Sequence, residues 1–119
     1  MLSPFLSAVV EPDRGLISPQ RVSAALNIPL TRLAELAHVH RNTLTRNPEA
    51  PLVQERLGEV ARIVAAAAEL TGDQGRAVVW FRHQPLAGFG GATAEELVAE
   101  GQARAVLEHL AMLRDGGYA

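Results

Sequence analysis

The chain has 119 residues and a formal net charge of −2, which fits one domain or two very small ones and excludes a chain that is basic throughout. Hydrophobic residues make up 48% of the sequence, enough for a core, but aromatic residues make up only 4%, so Ala, Leu and Val must build that core. Cysteine is absent, which excludes disulfides, cysteine-ligated zinc and thiol catalysis. Long alternating runs of β-branched residues are also missing, and the sequence therefore predicts an all-α fold.

Residues 1–17 form a predicted N-terminal arm. An apolar start is followed by Glu11-Pro12-Asp13-Arg14-Gly15, which has the composition of a turn. A short packed helix and a partly ordered arm are both compatible with this stretch. The arm does not resemble a signal peptide, and no apolar run in the chain reaches the roughly 18 residues of a membrane span. We expect a soluble, cytoplasmic protein without a membrane partner.

Residues 18–50 are predicted to form a helix-turn-helix part. Ser18-Pro19 is a helix start, with serine as the N-cap and proline in the first turn. Pro29 ends this helix, because the residue before a proline is disfavoured in the helical region. Thr31 then stands where it could cap the next helix.

Residues 30–47 predict two short helices joined by a tight turn. Apolar residues at helical spacing lead to Val39, which is predicted to fill the turn. In the second helix Leu44 is the only apolar residue. His38 occupies a turn position that favours a positive φ angle, which His tolerates better than bulkier residues do. The pattern is typical of a helix-turn-helix.

A helix with one buried anchor and otherwise polar side chains suits insertion into a groove of DNA. The side chains predicted to contact DNA are those of His40, Arg41, Asn42, Thr45 and Arg46. Arginine can pair with guanine and asparagine with adenine, whereas Arg21 and Arg32 could reach phosphates from the preceding helices. The alternative is that the arginines are merely solvated.

Asn47-Pro48-Glu49-Ala50-Pro51 reads as a linker, and a boundary is predicted here between the helix-turn-helix part and residues 51–119. Residues 53–70 form the strongest predicted helix, which is apolar on two sides and so needs two partners. One partner is predicted to be the rest of the C-terminal part and the other a second copy of the chain, which makes the protein a homodimer. The alternative is a helix at the centre of a monomeric bundle.

After the long helix, Gly72 provides a C-terminal signal and Asp73 can cap the next helix, which contains the apolar residues 77–81. Residues 86–92, LAGFGGA, predict a flexible loop with Phe89 as its anchor. The capping signals thus divide this region into a helix and a loop.

A capping box of Thr93 and Glu96 predicts the start of a further helix. Glu95, Glu96 and Glu100 resemble a catalytic carboxylate cluster, but the capping box is expected to explain the first two and a solvated helix face the third. The last predicted helix covers residues 102–114.

Other arrangements that carry chemistry are incomplete. His38 and His40 form an H-x-H pair without the third ligand that a metal site needs. Gly88-x-Gly90 lacks the third glycine of a dinucleotide-binding loop, and no predicted strand precedes it. The spacings give no Ser-His-Asp arrangement. We therefore expect no enzyme activity, no metal and no cofactor.

The C-terminal half carries short motifs in a characteristic order: Trp80-Phe81, Pro85-Leu86-x-Gly88, Glu96-Leu97, Gly101, Val106, Leu110 and Gly116. In this order they resemble the toxin-binding domain of Xre/MbcA/ParS-type antitoxins, which partner RES-domain toxins. The resemblance covers about residues 20–119, and the N-terminal half resembles the Xre-like helix-turn-helix of that family. Ala94 is a departure, because the family often has proline there. Trp80 and Leu97 are expected in the core rather than at an interface.

The resemblance implies a cytoplasmic antitoxin that dimerises, binds the promoter of its operon and covers the active site of a toxin that consumes NAD or transfers ADP-ribose from it. The tail of such an antitoxin approaches the toxin's NAD pocket, which nominates Arg114, Gly116, Gly117 and Tyr118 for toxin contact. Tyr118 also follows two glycines that end a helix, so its ring is expected outside the core. Two alternatives are a transcription regulator without a toxin partner and an interaction module whose helix-turn-helix never touches DNA.

Overall fold

The computed structural model describes residues 3–116, which fold into helices connected by turns and short loops. The helices are α1 (Pro4–Val9), α2 (Pro19–Leu26), α3 (Leu30–Ala37), α4 (Arg41–Arg46), α5 (Pro51–Thr71), α6 (Gln74–His83), α7 (Ala94–Ala99) and α8 (Ala103–Arg114). Within the described residues there is no β-sheet, only isolated bridges between Val10 and Ile17 and between Pro85 and Thr93. The predicted all-α fold is confirmed.

Helix α5 is the central element of the fold. Its 21 residues extend about 30 Å along the helix axis, and it packs against α1, α3, α6 and α8. The apolar residues buried along it are Val53, Leu57, Val60, Ala61, Ile63, Val64, Ala65 and Ala67. They belong to one continuous hydrophobic core that extends from Phe5 in α1 to Leu110 in α8. Helix α5 therefore contacts elements of both predicted parts of the chain.

Helix α1 covers one of the two apolar sides of α5. Ser3 caps α1 by accepting a backbone hydrogen bond at 3.1 Å, and Phe5 and Val9 are buried. Helix α1 packs against α5, and Phe5 lines a cavity between them together with Ala65 and Ala68. The packed helix is thus the correct one of the two interpretations of the arm. The apolar side of α5 that led us to predict a second copy is covered within the chain, so the homodimer stays a prediction without this support.

The side chain of Gln54 in α5 forms hydrogen bonds with two connecting segments. Its side-chain amide accepts a hydrogen bond from the N–H of Ile17 at 2.9 Å and donates to the carbonyl of Ile17 at 3.0 Å. It also donates to the carbonyl of Pro48 at 2.9 Å. The segment before α2 and the connection from α4 to α5 are therefore held by one side chain. The core is continuous across Pro51, and the domain boundary placed there stays a prediction.

Most of the predicted capping signals are confirmed. Ser18, Asp73 and Thr93 each accept a hydrogen bond from the backbone N–H three residues later, at 3.2, 2.8 and 3.1 Å. Glu96 completes the capping box at the start of α7 by accepting from the N–H of Thr93 at 2.9 Å. The prediction for Thr31 was wrong: α3 starts one residue before it, and its N-cap position makes no side-chain hydrogen bond.

Residues 86–92 form the predicted loop between α6 and α7. Phe89 is half-buried, and the edge of its ring contacts the ring of His109 with the centroids 5.7 Å apart, so its role as an anchor is confirmed. Leu97 lies in the core as predicted, whereas Trp80 is only partly buried and packs against the core from outside. Over residues 3–116, no helix combines the length and the apolar character required to cross a membrane.

Candidate functional site

Helices α3 and α4 form the helix-turn-helix, and α2 packs against α3. The chain turns at His38, whose φ of 54° is the left-handed conformation predicted for this position. The N–H of Val39 donates to the carbonyl of Ala34 at 3.2 Å, and its side chain packs partly buried against the core. Leu44 is fully buried and anchors α4. The predicted turn and its single anchor are therefore confirmed.

The other side chains of the α4 region form an exposed polar surface. The five predicted to contact DNA are all exposed: His40, Arg41, Asn42, Thr45 and Arg46. The structure thus brings them together on one short helix and its N-cap, held to the body through the Leu44 side chain. Their contact with DNA stays a prediction.

Hydrogen bonds within α4 determine what two of these side chains can offer a ligand. Nδ1 of His40 accepts from the N–H of Asn42 at 3.0 Å, so the proton of the neutral imidazole lies on Nε2, which becomes a donor. The hydroxyl of Thr45 donates to the carbonyl of Arg41 at 3.2 Å. Its methyl group and oxygen lone pairs remain for contact with a ligand. Arg41 and Arg46 contribute guanidinium donors and positive charge.

A mostly buried carboxylate joins the helix-turn-helix to the C-terminal helices. Glu95, in α7, accepts a hydrogen bond from Nε of Arg32 in α3 at 2.8 Å and another from Nε of Arg82 in α6 at 3.3 Å. The side chain of Glu95 is only 12% exposed, and those of the two arginines are 29% and 27% exposed. The hydrogen bond with Glu95 raises the pKa of Arg32 above its ordinary value. We call these three residues the Glu95 cluster.

Two further contacts reinforce this junction. Nη1 of Arg82 donates to the carbonyl of Asn27, the left-handed residue that ends α2, at 3.1 Å. Nε2 of His38 donates to the carbonyl of Val98 in α7 at 3.2 Å. The helix-turn-helix is therefore held against α6 and α7 by both charged and neutral hydrogen bonds.

The Glu95 cluster corrects the interpretation of Glu95 and gives Arg32 partners within the chain. The capping box does not explain Glu95, because only Glu96 reaches back to the N-cap residue, whose backbone hydrogen bond lowers the pKa of Glu96. The guanidinium of Arg32 is bound by Glu95 and Glu35 within the chain and stays 29% exposed, so its contact with phosphates stays a prediction. Arg21 remains exposed and donates to a backbone carbonyl at the end of α1, so its phosphate contact stays a prediction.

The two histidines of the H-x-H pair serve separate hydrogen bonds. His38 donates to α7, whereas His40 caps α4. Among residues 3–116, no group of three or more potential metal-ligating side chains comes together. The pair therefore has structural roles in the turn of the helix-turn-helix.

The C-terminal end of α8 carries two of the four residues predicted to contact a toxin. The side chain of Arg114 is 65% exposed, and its Nε donates to the neighbouring carboxylate of Asp115 at 3.2 Å. Gly116 has a φ of 80°, a left-handed conformation that follows the end of the helix. The other two, Gly117 and Tyr118, lie outside the described residues. Toxin contact by all four stays a prediction.

The comparison with known proteins concerns this C-terminal part. Residues 66–116 match the family model described as the Antitoxin Xre/MbcA/ParS C-terminal toxin-binding domain. The match begins within α5, continues through α8, and includes Glu95 but neither Arg32 nor the helix-turn-helix. No curated protein and no solved structure gives a match to the chain.

Proposed function

We propose that this chain, whose C-terminal part is the toxin-binding domain of an Xre/MbcA/ParS-type antitoxin, neutralises a RES-domain toxin that consumes NAD or transfers ADP-ribose from it. The family match over residues 66–116 is the observation that carries the proposal, since a domain described as toxin-binding supports a toxin protein as the partner. An antitoxin of this kind acts by binding and needs no catalytic group or cofactor of its own. NAD and promoter DNA are cytoplasmic, and we place the antitoxin there as well.

Neutralisation is proposed to occur by coverage of the toxin's active site with the end of α8 and the residues that follow. The exposed guanidinium of Arg114 supports this assignment, because its ion pair with Asp115 is at the surface and can be exchanged for a partner's carboxylate at little cost. The left-handed backbone at Gly116 turns the chain away from the helical path. Tyrosine, the residue type at position 118, combines a flat ring with a polar tip, which suits a nucleotide-binding cleft.

The helix-turn-helix is proposed to regulate the antitoxin's own operon. The exposure of Arg41, Asn42 and Arg46 on α4 supports binding in the major groove, where guanidinium and amide groups can read base edges. Two copies bound to a symmetric operator would place their α4 helices about 34 Å apart. The homodimer belongs to this proposal and is tested by the mass of the protein in solution.

Co-expression with the product of the neighbouring toxin gene tests the antitoxin role. We expect the two proteins to co-purify and the toxin's NAD-consuming activity to be silent in the complex. A chain shortened by residues 116–119 should keep its helical circular dichroism, because these residues follow α8, but should no longer silence the toxin.

Full inhibition by the shortened chain would contradict coverage of the active site by the tail. Failure of the full-length chain to bind the toxin would contradict the antitoxin role itself. That result, combined with specific promoter binding, would favour a transcription regulator without a toxin partner.

A further inference from the structure

A small apolar groove lies between the end of α5 and α8, beside the end of α8 that the proposed function assigns to toxin contact. Its volume is about 110 Å³, and its apolar lining consists of Ala66, Leu70, Leu107, Leu110 and Ala111. Glu69 and Arg114 line it as well and are both exposed. We call this surface the α5/α8 groove.

We infer that the α5/α8 groove is a docking site for one aliphatic side chain of the toxin. This inference rests on the proposed function and deepens it, because it adds a second anchoring point to the contact made by the tail. The size of the groove sets the kind of occupant: an apolar cavity of roughly 150 Å³ accommodates benzene. A groove of about 110 Å³ therefore accepts a branched aliphatic side chain but not a whole helix.

The exposure of Leu70 indicates that the groove is incomplete in the free chain. This side chain lies at the last turn of α5 and is 43% exposed, whereas Leu110 on the opposite helix is buried. An occupant would remove the remaining apolar surface of Leu70 from water, and burial of such surface favours association. Buried apolar anchors of this type dominate the energy of most protein interfaces.

The charges that line the groove define the surroundings of the occupant. Glu69 contributes a negative charge from α5, and Arg114 contributes a positive charge from α8. A toxin segment that places a basic residue and an acidic residue on either side of an aliphatic one would be complementary to this arrangement. We therefore assign to the groove a short toxin segment in which an aliphatic residue lies between two charges of opposite sign.

The position of the groove favours the toxin over a second copy of the chain. All the residues that line it fall within residues 66–116, which match the toxin-binding domain. Arg114 belongs both to the groove and to the end of α8 that we propose for toxin contact, so the two surfaces are continuous. Helix α1 covers a different side of α5 and leaves this groove open.

Filling the groove from within the chain tests the inference. Ala111→Phe places a ring in the groove, and Ala105→Phe is the matched control, because Ala105 is a half-buried alanine on the same helix that does not line it. The probe is the purified product of the neighbouring toxin gene, with binding and NAD consumption as readouts. We expect Ala111→Phe to weaken the complex about tenfold or more, as the loss of an anchor does, and Ala105→Phe to leave it within about threefold.

A second measurement does not depend on the tolerance of the fold to a larger side chain. Because the chain has no cysteine, Leu70→Cys and Leu52→Cys each introduce a single reactive thiol. Both leucines are on α5 and similarly exposed, 43% and 49%, but Leu52 lies outside the matched domain. Bound toxin should slow the reaction of the cysteine at position 70 with a maleimide about tenfold or more and leave that at position 52 unchanged.

Equal labelling of both cysteines in the complex, or unaltered toxin affinity of a folded Ala111→Phe variant, would overturn the inference. If Ala111→Phe changes the mass of the antitoxin alone and not its affinity for the toxin, the groove holds a second copy instead. If the unmodified chain does not bind the toxin, the proposed function fails, a result distinct from failure of the groove.

Discussion

Removal of the Glu95 carboxylate should destabilise the protein far more than removal of an exposed carboxylate bound to the same arginine. Glu95 and Glu35 each lie 2.8 Å from the guanidinium of Arg32, but their side chains are 12% and 64% exposed. Loss of one partner of a buried ion pair costs about 3–5 kcal/mol of the free energy of unfolding. Because Arg32 and Arg82 both retain access to water, we expect about 2–3 kcal/mol for Glu95→Ala. An exposed pair contributes about 0–1 kcal/mol, which sets the expectation for Glu35→Ala.

Urea denaturation followed by circular dichroism measures both changes. For a chain of this length, the expected loss for Glu95→Ala corresponds to a decrease in Tm of about 10 °C. Amide hydrogen exchange should also rise in α3 and α7, because these helices lose the carboxylate that links them. Equal destabilisation by Glu95→Ala and Glu35→Ala, with unchanged exchange in α3, would refute the role assigned to the Glu95 cluster.

Three further predictions concern DNA binding by α4, the packing of α1 and the dependence of stability on pH. Replacement of Arg41 and Arg46 by Ala should weaken promoter binding and reduce the slope of log affinity against log salt concentration by about 2. The control Arg62→Ala, on α5, should change neither the affinity nor the slope. Equal slopes for the two variants would contradict DNA contact by α4. Phe5→Ala should lower the free energy of unfolding, measured by urea denaturation, by about 3–5 kcal/mol, because Phe5 is 1% exposed and attaches α1 to α5. A decrease below about 1 kcal/mol would show that α1 contributes little to the stability of the fold. The capping hydrogen bonds lower the pKa of Glu96 in the folded protein. The stability that its carboxylate provides is therefore fully present above the ordinary pKa of 4.5, and it is lost as the pH falls through the lower pKa of the folded state. In unfolding measurements from pH 7 to 3, Glu96→Gln should remove this part of the acid sensitivity, and an unaltered pH profile would count against the capping role.

Local signals in the sequence predicted local structure well. The capping residues Ser18, Asp73 and Thr93 act on backbone groups only three residues away, so their chemistry can be read without knowledge of the fold. The left-handed turn at His38 has the same origin, because it is a property of a single residue between two helices. The joint order of short motifs in the C-terminal part predicted the toxin-binding domain whose family model matches residues 66–116.

Contacts between distant segments could not be predicted in this way. Glu95 and Arg32 are 63 positions apart, and nothing in their spacing indicates that α7 packs across α3. Each carried a plausible local explanation, Glu95 as part of a capping box and Arg32 as a phosphate ligand. The first explanation was wrong, and the second stays a prediction. The two apolar sides of α5 correctly predicted that two elements pack against this helix. The pattern does not indicate, however, whether the second element is another copy of the chain or α1 of the same chain.

The most direct measurement of the central claim is the rate of NAD consumption by the product of the neighbouring toxin gene, titrated with this chain. We predict that activity falls to zero at a fixed ratio of the two proteins, and that the chain without residues 116–119 binds but leaves activity in place. Undiminished NAD consumption in the presence of an excess of the full-length chain would contradict the claim.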